Sequence, residues 1–206
     1  MLKKMMAQYV YDIVHLEGNP LTFLEVQTLL DGETPGGQRV DDVMQVLNQK
    51  RALEYLLQLC KRGMQAEDQA LACAFHQRIA FEEALTWGEF RNGQVRISGA
   101  DYMPPAASEL SQYFADGLVQ LQAISHPFEY ALAWFFWASQ QQFFFDGNKR
   151  TARALMNHIL LRHGYYYLSV PAAKKDEFDQ MMVDFYQSKN ASAGMEWMSA
   201  CYRTWD

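Results

Sequence analysis

The sequence predicts an all-α protein, a helical bundle with one small β-hairpin. Two patterns indicate this class: apolar side chains recur at helical spacing in successive segments, and helix-start and helix-stop residues separate those segments. The hairpin is predicted within 87–105, where the helical pattern fails and Asn92 and Gly93 precede an alternating stretch at 95–98. Half of the 206 residues are hydrophobic, enough for one core, so residues 1–206 are predicted to form a single domain.

Three helices are predicted in the first part of the chain. The first ends near Glu17, because a Gly-Asn-Pro sequence follows it. Thr22 and Glu25 have the spacing of a capping box, which predicts the start of a second helix. A polar loop with Pro-Gly-Gly at 31–37 separates that helix from a third, which is marked by apolar residues at helical spacing over 43–60.

The rest of the chain, apart from the hairpin, is also predicted to be helical. His126 and Pro127 suit the cap and first turn of one helix, and Gly164 suits the left-handed residue that ends another. The predicted helices lie at 67–85, 108–121, 127–141, from Asn148 towards Gly164, 178–186 and 195–205.

Composition excludes several functional classes. A net charge of -6 provides no broad basic field, so nucleic acid is not an expected partner. The three cysteines are odd in number and have no metal or redox spacing, which fits reduced thiols. Polar residues interrupt any signal-like stretch near the start, and the aromatic run at 130–138 is too short to cross a bilayer. We therefore expect a cytoplasmic protein without a membrane partner.

The segment 144–153 joins a loop to a strongly periodic helix and has the chemistry of a phosphate site. The first turn of a helix offers unpaired N–H groups, and Gly147 permits close approach of an anion to the backbone. Arg150 and Arg153 share a helix face, so both guanidiniums can converge on one polyphosphate. Asp146 adds an oxygen ligand of the type that Mg²⁺ uses beside substrate phosphates. Residue types alone leave an alternative open, a simple turn followed by a solvated arginine face.

The same segment resembles the signature of Fic proteins, His-x-Phe-x-Asp-Gly-Asn-x-Arg-x-x-Arg. The matching residues are Phe144, Asp146, Gly147, Asn148, Arg150 and Arg153, within a motif spanning 142–153. The resemblance implies a Fic-fold helical bundle that transfers AMP from ATP, with Mg²⁺, to a hydroxyl of a protein target. It implies nucleotide binding by Gly147, Asn148, Lys149, Arg150 and Arg153, catalytic positions at Gln142, Asp146, Asn148 and Arg150, and a metal ligand in Asp146.

Two further segments resemble parts of Fic proteins. Glu17, Gly18 and Asn19 match the family's inhibitory helix, here residues 1–20, whose glutamate pairs with the second motif arginine, Arg153. The segment 87–105 resembles the family's hairpin flap, which clamps the target peptide. The flap residues that this implies are Val95, Arg96, Ile97, Ser98 and Gly99. The resemblance is compatible with a homodimer and leaves the target protein open.

One departure from the signature concerns the chemistry itself. Gln142 stands where the family has the histidine that takes a proton from the target hydroxyl. A carboxamide cannot accept that proton near neutral pH, and loss of a general base typically lowers the rate about 10²- to 10⁴-fold. Phe143 and Ile13 also depart from the pattern, without removing a charge. Three functions stay open: a restrained AMP transferase, a nucleotide-binding module without turnover, and a changed chemistry at the same loop.

No other histidine offers itself as a replacement base. His126 imitates the start of the signature, but the Gly-Asn turn does not follow, so we interpret it as a helix cap. The remaining histidines, His15, His76, His158 and His163, have no zinc spacing and are interpreted as structural or exposed.

Overall fold

The computed structural model describes residues 2–63, 65–97 and 101–202, and every regular element within these ranges is helical. Short 3-10 turns at Ala107–Glu109 and Ala172–Lys174 precede two of the helices. No helix in the described ranges is long and apolar enough to cross a membrane. The all-α prediction is confirmed. The helices are α1 (Leu2–Leu16), α2 (Phe23–Asp31), α3 (Val40–Arg62), α4 (Gln69–Ile79), α5 (Leu110–Leu121), α6 (Pro127–Gln141), α7 (Asn148–Arg162), α8 (Lys175–Ser188) and α9 (Ser192–Cys201).

The core is centred on the packed pair α6 and α7. Almost every residue of α7 from Asn148 to Leu160 is buried, so this helix runs through the interior with other helices around it. A smaller apolar cluster joins α1, α2 and α3 beside the main core. Its buried members are Val10, Val14, Leu21, Val26, Leu29 and Val46. The start of α7, which carries the signature, is therefore held by the central packing of the molecule.

The local start and stop signals are confirmed where the sequence specified them. Thr22 caps α2 in a complete capping box with Glu25. The Nδ1 atom of His126 accepts a 3.5 Å hydrogen bond from the Glu129 amide, so His126 caps α6 as expected. Gly164 is left-handed with φ +80°, just past the end of α7.

The predicted end of α4 at Leu85 is wrong, because the helix ends at Ile79. The Asn48 side chain of α3 donates to the Phe81 carbonyl at 2.8 Å and to Glu83 Oε1 at 2.7 Å. Glu82 then adopts a left-handed φ of +58°. A side chain from a distant helix thus holds a carbonyl that a longer α4 would have used, and local periodicity could not reveal it.

The predicted β-hairpin at 87–105 is also wrong, since the described part of this segment contains no strand. The alternating stretch is only about four residues long, and an isolated two-stranded hairpin is marginal in water. Side-chain bonds from Arg91 to backbone carbonyls hold the segment instead of a strand ladder. Val95, Arg96 and Ile97 form an irregular loop, while Ser98 and Gly99 lie outside the described residues.

Candidate functional site

A cavity of about 420 Å³ opens at the first turn of α7. It brings together the residue after α1, the loop before α7, the described part of the flap and one face of α8. This size suits a small-molecule ligand. The lining residues are Glu17, Arg96, Ile97, Gln142, Phe145, Asp146, Gly147, Asn148, Lys149, Asp179, Met182, Val183 and Tyr186.

The loop between α6 and α7 is fixed by the side chain of Asn148. Its Oδ1 accepts from the Phe144 amide at 2.9 Å, and its Nδ2 donates to the Phe144 carbonyl at 2.8 Å. The same Nδ2 donates to Gln142 Oε1 at 3.0 Å. Because Asn148 is only 7% exposed, these bonds form away from competing water. The loop is consequently a defined turn and not a solvated linker.

Gly147 provides the left-handed residue on which α7 begins. Its φ is +70°, and an added Cβ would lie 3.3 Å from the Cβ of Ala80 and 3.5 Å from Ile79. A side chain would therefore meet both backbone strain and the end of α4. No side chain caps this helix end among the described residues, so its first turn faces the cavity with its dipole uncompensated by a cap.

His76 of α4 contacts the loop between α6 and α7 and stabilises it. Its Nδ1 accepts from the Gly88 amide at 3.1 Å, so Nε2 carries the proton and donates to the Asp146 carbonyl at 3.0 Å. The ring stacks on Phe144 with the centroids 3.7 Å apart. Burial is the main reason that the pKa of His76 falls to about 4. The neutral imidazole thus joins the loop to the start of the flap segment.

The two signature arginines contact different carboxylates. Arg150 is 3% exposed and donates to Glu83 Oε2 at 2.6 Å, with Asp146 Oδ1 3.8 Å from its Nη2. Arg153 is equally buried and donates through Nη2 to Glu17 Oε1 at 2.9 Å. Its guanidinium carbon also lies 4.8 Å from the centroid of the Phe178 ring.

Arg153 keeps unused hydrogen-bonding capacity. Its Nε and Nη1 atoms are buried and have no hydrogen-bond partner within the described part of the chain. Buried donors normally have partners, so these two nitrogens carry hydrogen-bonding capacity that the described residues do not use.

The Glu17 carboxylate occupies the positive end of the cavity. Oε1 is bound by Arg153, as the sequence led us to expect, and Oε2 lies 3.5 Å from Lys149 Nζ. Burial alone would raise the pKa of Glu17, but the nearby cations outweigh it and hold the pKa below its usual value. The groups responsible are Arg153, Lys149 and Arg150. An ionised carboxylate therefore stands among cations at the start of a helix.

The Gln142 side chain is directed into the loop. Its Nε2 donates to the Ser139 carbonyl at 2.7 Å, and its Oε1 accepts from Asn148. Gln142 itself has a left-handed φ of +51° at the end of α6. Both polar ends of the side chain are thereby engaged by the protein.

The donor set fits an anion and, beside it, one divalent cation. Asp146 is exposed at the cavity with its side chain 65% accessible, and Mg²⁺ in proteins is commonly held by one or two carboxylates together with substrate phosphates. No group of three or more His, Cys, Asp or Glu side chains that could hold a metal occurs among the described residues.

Sequence reasoning missed several residues around this site. Tyr186, Met182 and Asp179 line the cavity from α8, and neither a motif nor a spacing marked them. His76 was interpreted as structural or exposed; it is buried, and it contacts the signature loop. Arg91 lay in the segment that resembles the flap, but no role was assigned to it.

The arrangement defines a helical protein with a cavity at a helix start, lined in part by cationic side chains and by its own Glu17. Residues 66–160 match the model of the Fic/DOC family. The chain is therefore similar to the Fic/DOC family over this segment. It is 26% identical over 181 residues to proteins called protein adenylyltransferase Fic from Drosophila willistoni and Drosophila ananassae. The alignment covers 85% of this chain but only 36% of those relatives.

Solved structures have the same fold. A Fic domain containing signaling protein from Bacteroides thetaiotaomicron aligns with a TM-score of 0.80 at 22% identity, over 97% of this chain and 84% of that one. A Fic family protein from Desulfovibrio desulfuricans gives 0.82 at 20% identity, over 97% and 62%. Fic-1 from C. elegans gives 0.73 at 21% identity, over 97% and 64%. At these identities the likeness establishes the fold alone.

Proposed function

We propose that the chain binds ATP with Mg²⁺ in the cavity at the start of α7 and is a Fic-type protein adenylyltransferase that Glu17 restrains. One observation carries this proposal: the Glu17 carboxylate is bound by Arg153 and Lys149, where a nucleotide phosphate would find its cations. Gly147, Asn148 and Lys149 line the cavity at the start of α7, whereas Arg150 and Arg153 are buried beside it and are not among its lining residues. In this proposal residues 1–20 form the inhibitory segment, and 87–105 form the target flap.

Each group would have a distinct task. The first turn of α7 and Arg153 would bind the phosphates, and Asp146 would hold Mg²⁺ against them. The metal would supply charge neutralisation at those oxygens. Arg96 and Ile97 line the cavity, and the target hydroxyl would enter beside them. Gln142 offers no proton acceptor, so wild-type transfer is expected to be slow.

Calorimetry with ATP and Mg²⁺ tests the binding step. Glu17→Gly removes a carboxylate that competes for the same cations, so we expect affinity to rise about tenfold or more over wild type. Glu17→Gln is the matched control that removes the charge but retains the length. Absence of binding by ATP and ADP in all three proteins would contradict the proposal.

Transfer is tested with α-labelled ATP in the Glu17→Gly background. Adding Gln142→His restores a general base at the position of the signature histidine, and we expect incorporation into protein to rise about 10²- to 10⁴-fold. Gln141→His, one residue earlier on α6, is the control and should give no increase. Equal incorporation with both histidine variants would argue against a catalytic position at residue 142.

A nucleotide-binding module without turnover is the second candidate. The observation that favours it is the engagement of both polar ends of Gln142 by Ser139 and Asn148, which leaves that side chain no catalytic task. This function predicts tight ATP binding by Glu17→Gly protein with no label transferred unless residue 142 is histidine. The transfer assay with Gln142 retained separates the two candidates, because the transferase should give slow incorporation and the binding module none.

A further inference from the structure

Arg91, between α4 and α5, is among the most deeply buried charged residues of the protein. It is only 2% exposed. No ion pair to it occurs among the described residues, and burial lowers the pKa of its guanidinium from the ordinary value. A buried cation without a carboxylate is costly unless its donors are satisfied by other acceptors. The role of Arg91 therefore depends on which acceptors its guanidinium donors bind.

The acceptors are three backbone carbonyls from separate places in the chain. Nε donates to the Gln142 carbonyl at 2.6 Å, Nη1 to Gly93 at 2.7 Å, and Nη2 to Pro105 at 2.5 Å. The Arg91 amide also donates to the Phe143 carbonyl at 2.9 Å. One side chain and its own amide thus connect both ends of the flap segment to the loop before α7.

The planar geometry of guanidinium makes this connection specific. Its donors are fixed in one fork, so carbonyls bound to different nitrogens are fixed relative to one another. The segment from Gly93 to Pro105 has no strand in its described part. The guanidinium of Arg91 therefore holds the two sides of the segment together, as the hydrogen bonds of a β-hairpin would. Lysine carries the same charge but cannot hold three carbonyls in that plane.

The bond to Gln142 acts on a strained residue. Gln142 has φ +51°, a conformation that is unfavourable for a non-glycine residue and persists only where its surroundings enforce it. Arg91 holds its carbonyl, while Asn148 and Ser139 hold its side chain. The backbone at the signature-histidine position is therefore set partly from the flap.

We propose that Arg91 is a positioning residue that joins the flap to the signature loop, fixing both flap ends and the backbone of Gln142. This inference rests on the proposed transferase function in one respect only. The parts that Arg91 positions are the segment that would hold the target and residue 142. Loss of Arg91 frees these two segments together. The start of α7, whose contacts do not include Arg91, keeps its structure and its affinity for phosphate.

Hydrogen exchange followed by mass spectrometry tests this coupling in the full chain. For Arg91→Met we expect exchange at 92–97, 101–105 and 142–146 to accelerate about tenfold or more, while α7 changes by less than about twofold. Arg91→Lys should give an intermediate acceleration in the same segments. Arg78→Met is the matched control, because Arg78 is a part-buried arginine of α4 that binds the Ala74 carbonyl and stacks on Tyr55. Unchanged exchange in the flap, or equal acceleration everywhere, would overturn the proposal.

Chemical rescue separates a positioning role from simple loss of packing. In Arg91→Ala, guanidinium ion at low millimolar concentration should re-enter the vacated site and restore protection in the flap and at 142–146. Sodium chloride at the same concentration should not. If guanidinium restores neither segment, or restores one without the other, the assignment fails. Should Arg91→Met not fold, Arg91→Lys and this titration decide the question.

Measuring ATP binding distinguishes a failure of the Arg91 proposal from a failure of the proposed function. In the Glu17→Gly background, Arg91→Lys should bind ATP within about threefold of its parent but transfer label more slowly once Gln142→His is added. If no variant binds nucleotide, the proposed function fails while the exchange data still decide the role of Arg91. A parallel loss of ATP binding and flap protection would count against a role confined to the flap and loop.

Discussion

Single residues decide the shape of the cavity at the start of α7, and Gly147 is the clearest case. It combines a left-handed φ with close packing against α4, and it stands directly before the first turn of α7. The residue type was noticed in the sequence because glycine permits close approach of an anion. The second constraint, contact with Ala80, belongs to the tertiary structure and has no signal in the motif.

Gly147→Ala should lower both stability and nucleotide affinity. The left-handed conformation costs alanine about 1–2 kcal/mol, and crowding against Ala80 adds to it. Gly164→Ala is a matched control, since its φ is +80° but nothing lies within 4 Å of the added Cβ. Urea unfolding should show the larger loss for Gly147→Ala. Calorimetry in the Glu17→Gly background should show weaker ATP binding for that variant only. Equal losses in both assays would remove the packing argument.

Individual residues also show how much of the candidate site could be predicted from the sequence. Asp146, Asn148 and Arg153 were predicted to share one site because their spacing resembles a known signature, and Glu17 was added because Glu-Gly-Asn resembles the inhibitory helix of the same family. The engagement of Gln142 by Ser139 and Asn148 could not, because it depends on a left-handed turn at the end of α6. The three carbonyls that bind Arg91 come from distant segments, and backbone acceptors leave no trace in residue type.

At the scale of elements, helix periodicity and capping predicted most of the architecture. The Thr22 cap and the Gly164 stop were correct because these signals act within one turn of the chain. The end of α4 and the hairpin were wrong because side chains from elsewhere, Asn48 and Arg91, hold the backbone carbonyls involved. Elements fixed by local contacts are predictable, whereas those fixed by distant side chains are not.

Helix α1 determines the position of Glu17, and Asp12 attaches that helix to the segment before α8. The Asp12 carboxylate accepts from the Ala172 amide at 3.0 Å and from Ser169 Oγ at 3.1 Å, just before α8. The Tyr9 hydroxyl accepts from Asn157 Nδ2 at 3.0 Å and supplies a second attachment. The hold of Glu17 on the cations therefore depends partly on bonds made several residues earlier.

Asp12→Ala should loosen α1 and raise nucleotide affinity without altering the cavity itself. A less firmly docked helix lets Glu17 leave its cations more often, so we expect ATP affinity about threefold or more above wild type. Thr22→Ala is the control, because loss of that cap costs about 1 kcal/mol at α2 and leaves the Asp12 bonds intact. Calorimetry measures the effect. A destabilised Asp12→Ala protein with wild-type affinity would show that this attachment does not govern Glu17.

At the scale of the whole molecule, one buried imidazole joins α4, the signature loop and the flap segment. His76 accepts from Gly88 and donates to Asp146, so both ring nitrogens are used in the neutral form. Protonation would put a second N–H against the Gly88 amide and a charge into the core. The stability of this junction should therefore follow pH.

The sign of the pH effect follows from the depressed pKa of His76. Its folded pKa of about 4 lies below the ordinary 6.5, so the unfolded chain binds the extra proton first as pH falls. The contribution is present above about pH 6.5 and is lost as pH falls towards 4. Between about pH 7.5 and about pH 5 the free energy of unfolding should drop by about 2 kcal/mol through this group. Urea unfolding of wild type and His76→Gln at several pH values isolates the term, because subtraction removes the titration of the other groups. Identical pH slopes for the two proteins would show that His76 is not held neutral, and the three-way junction would then need a different explanation.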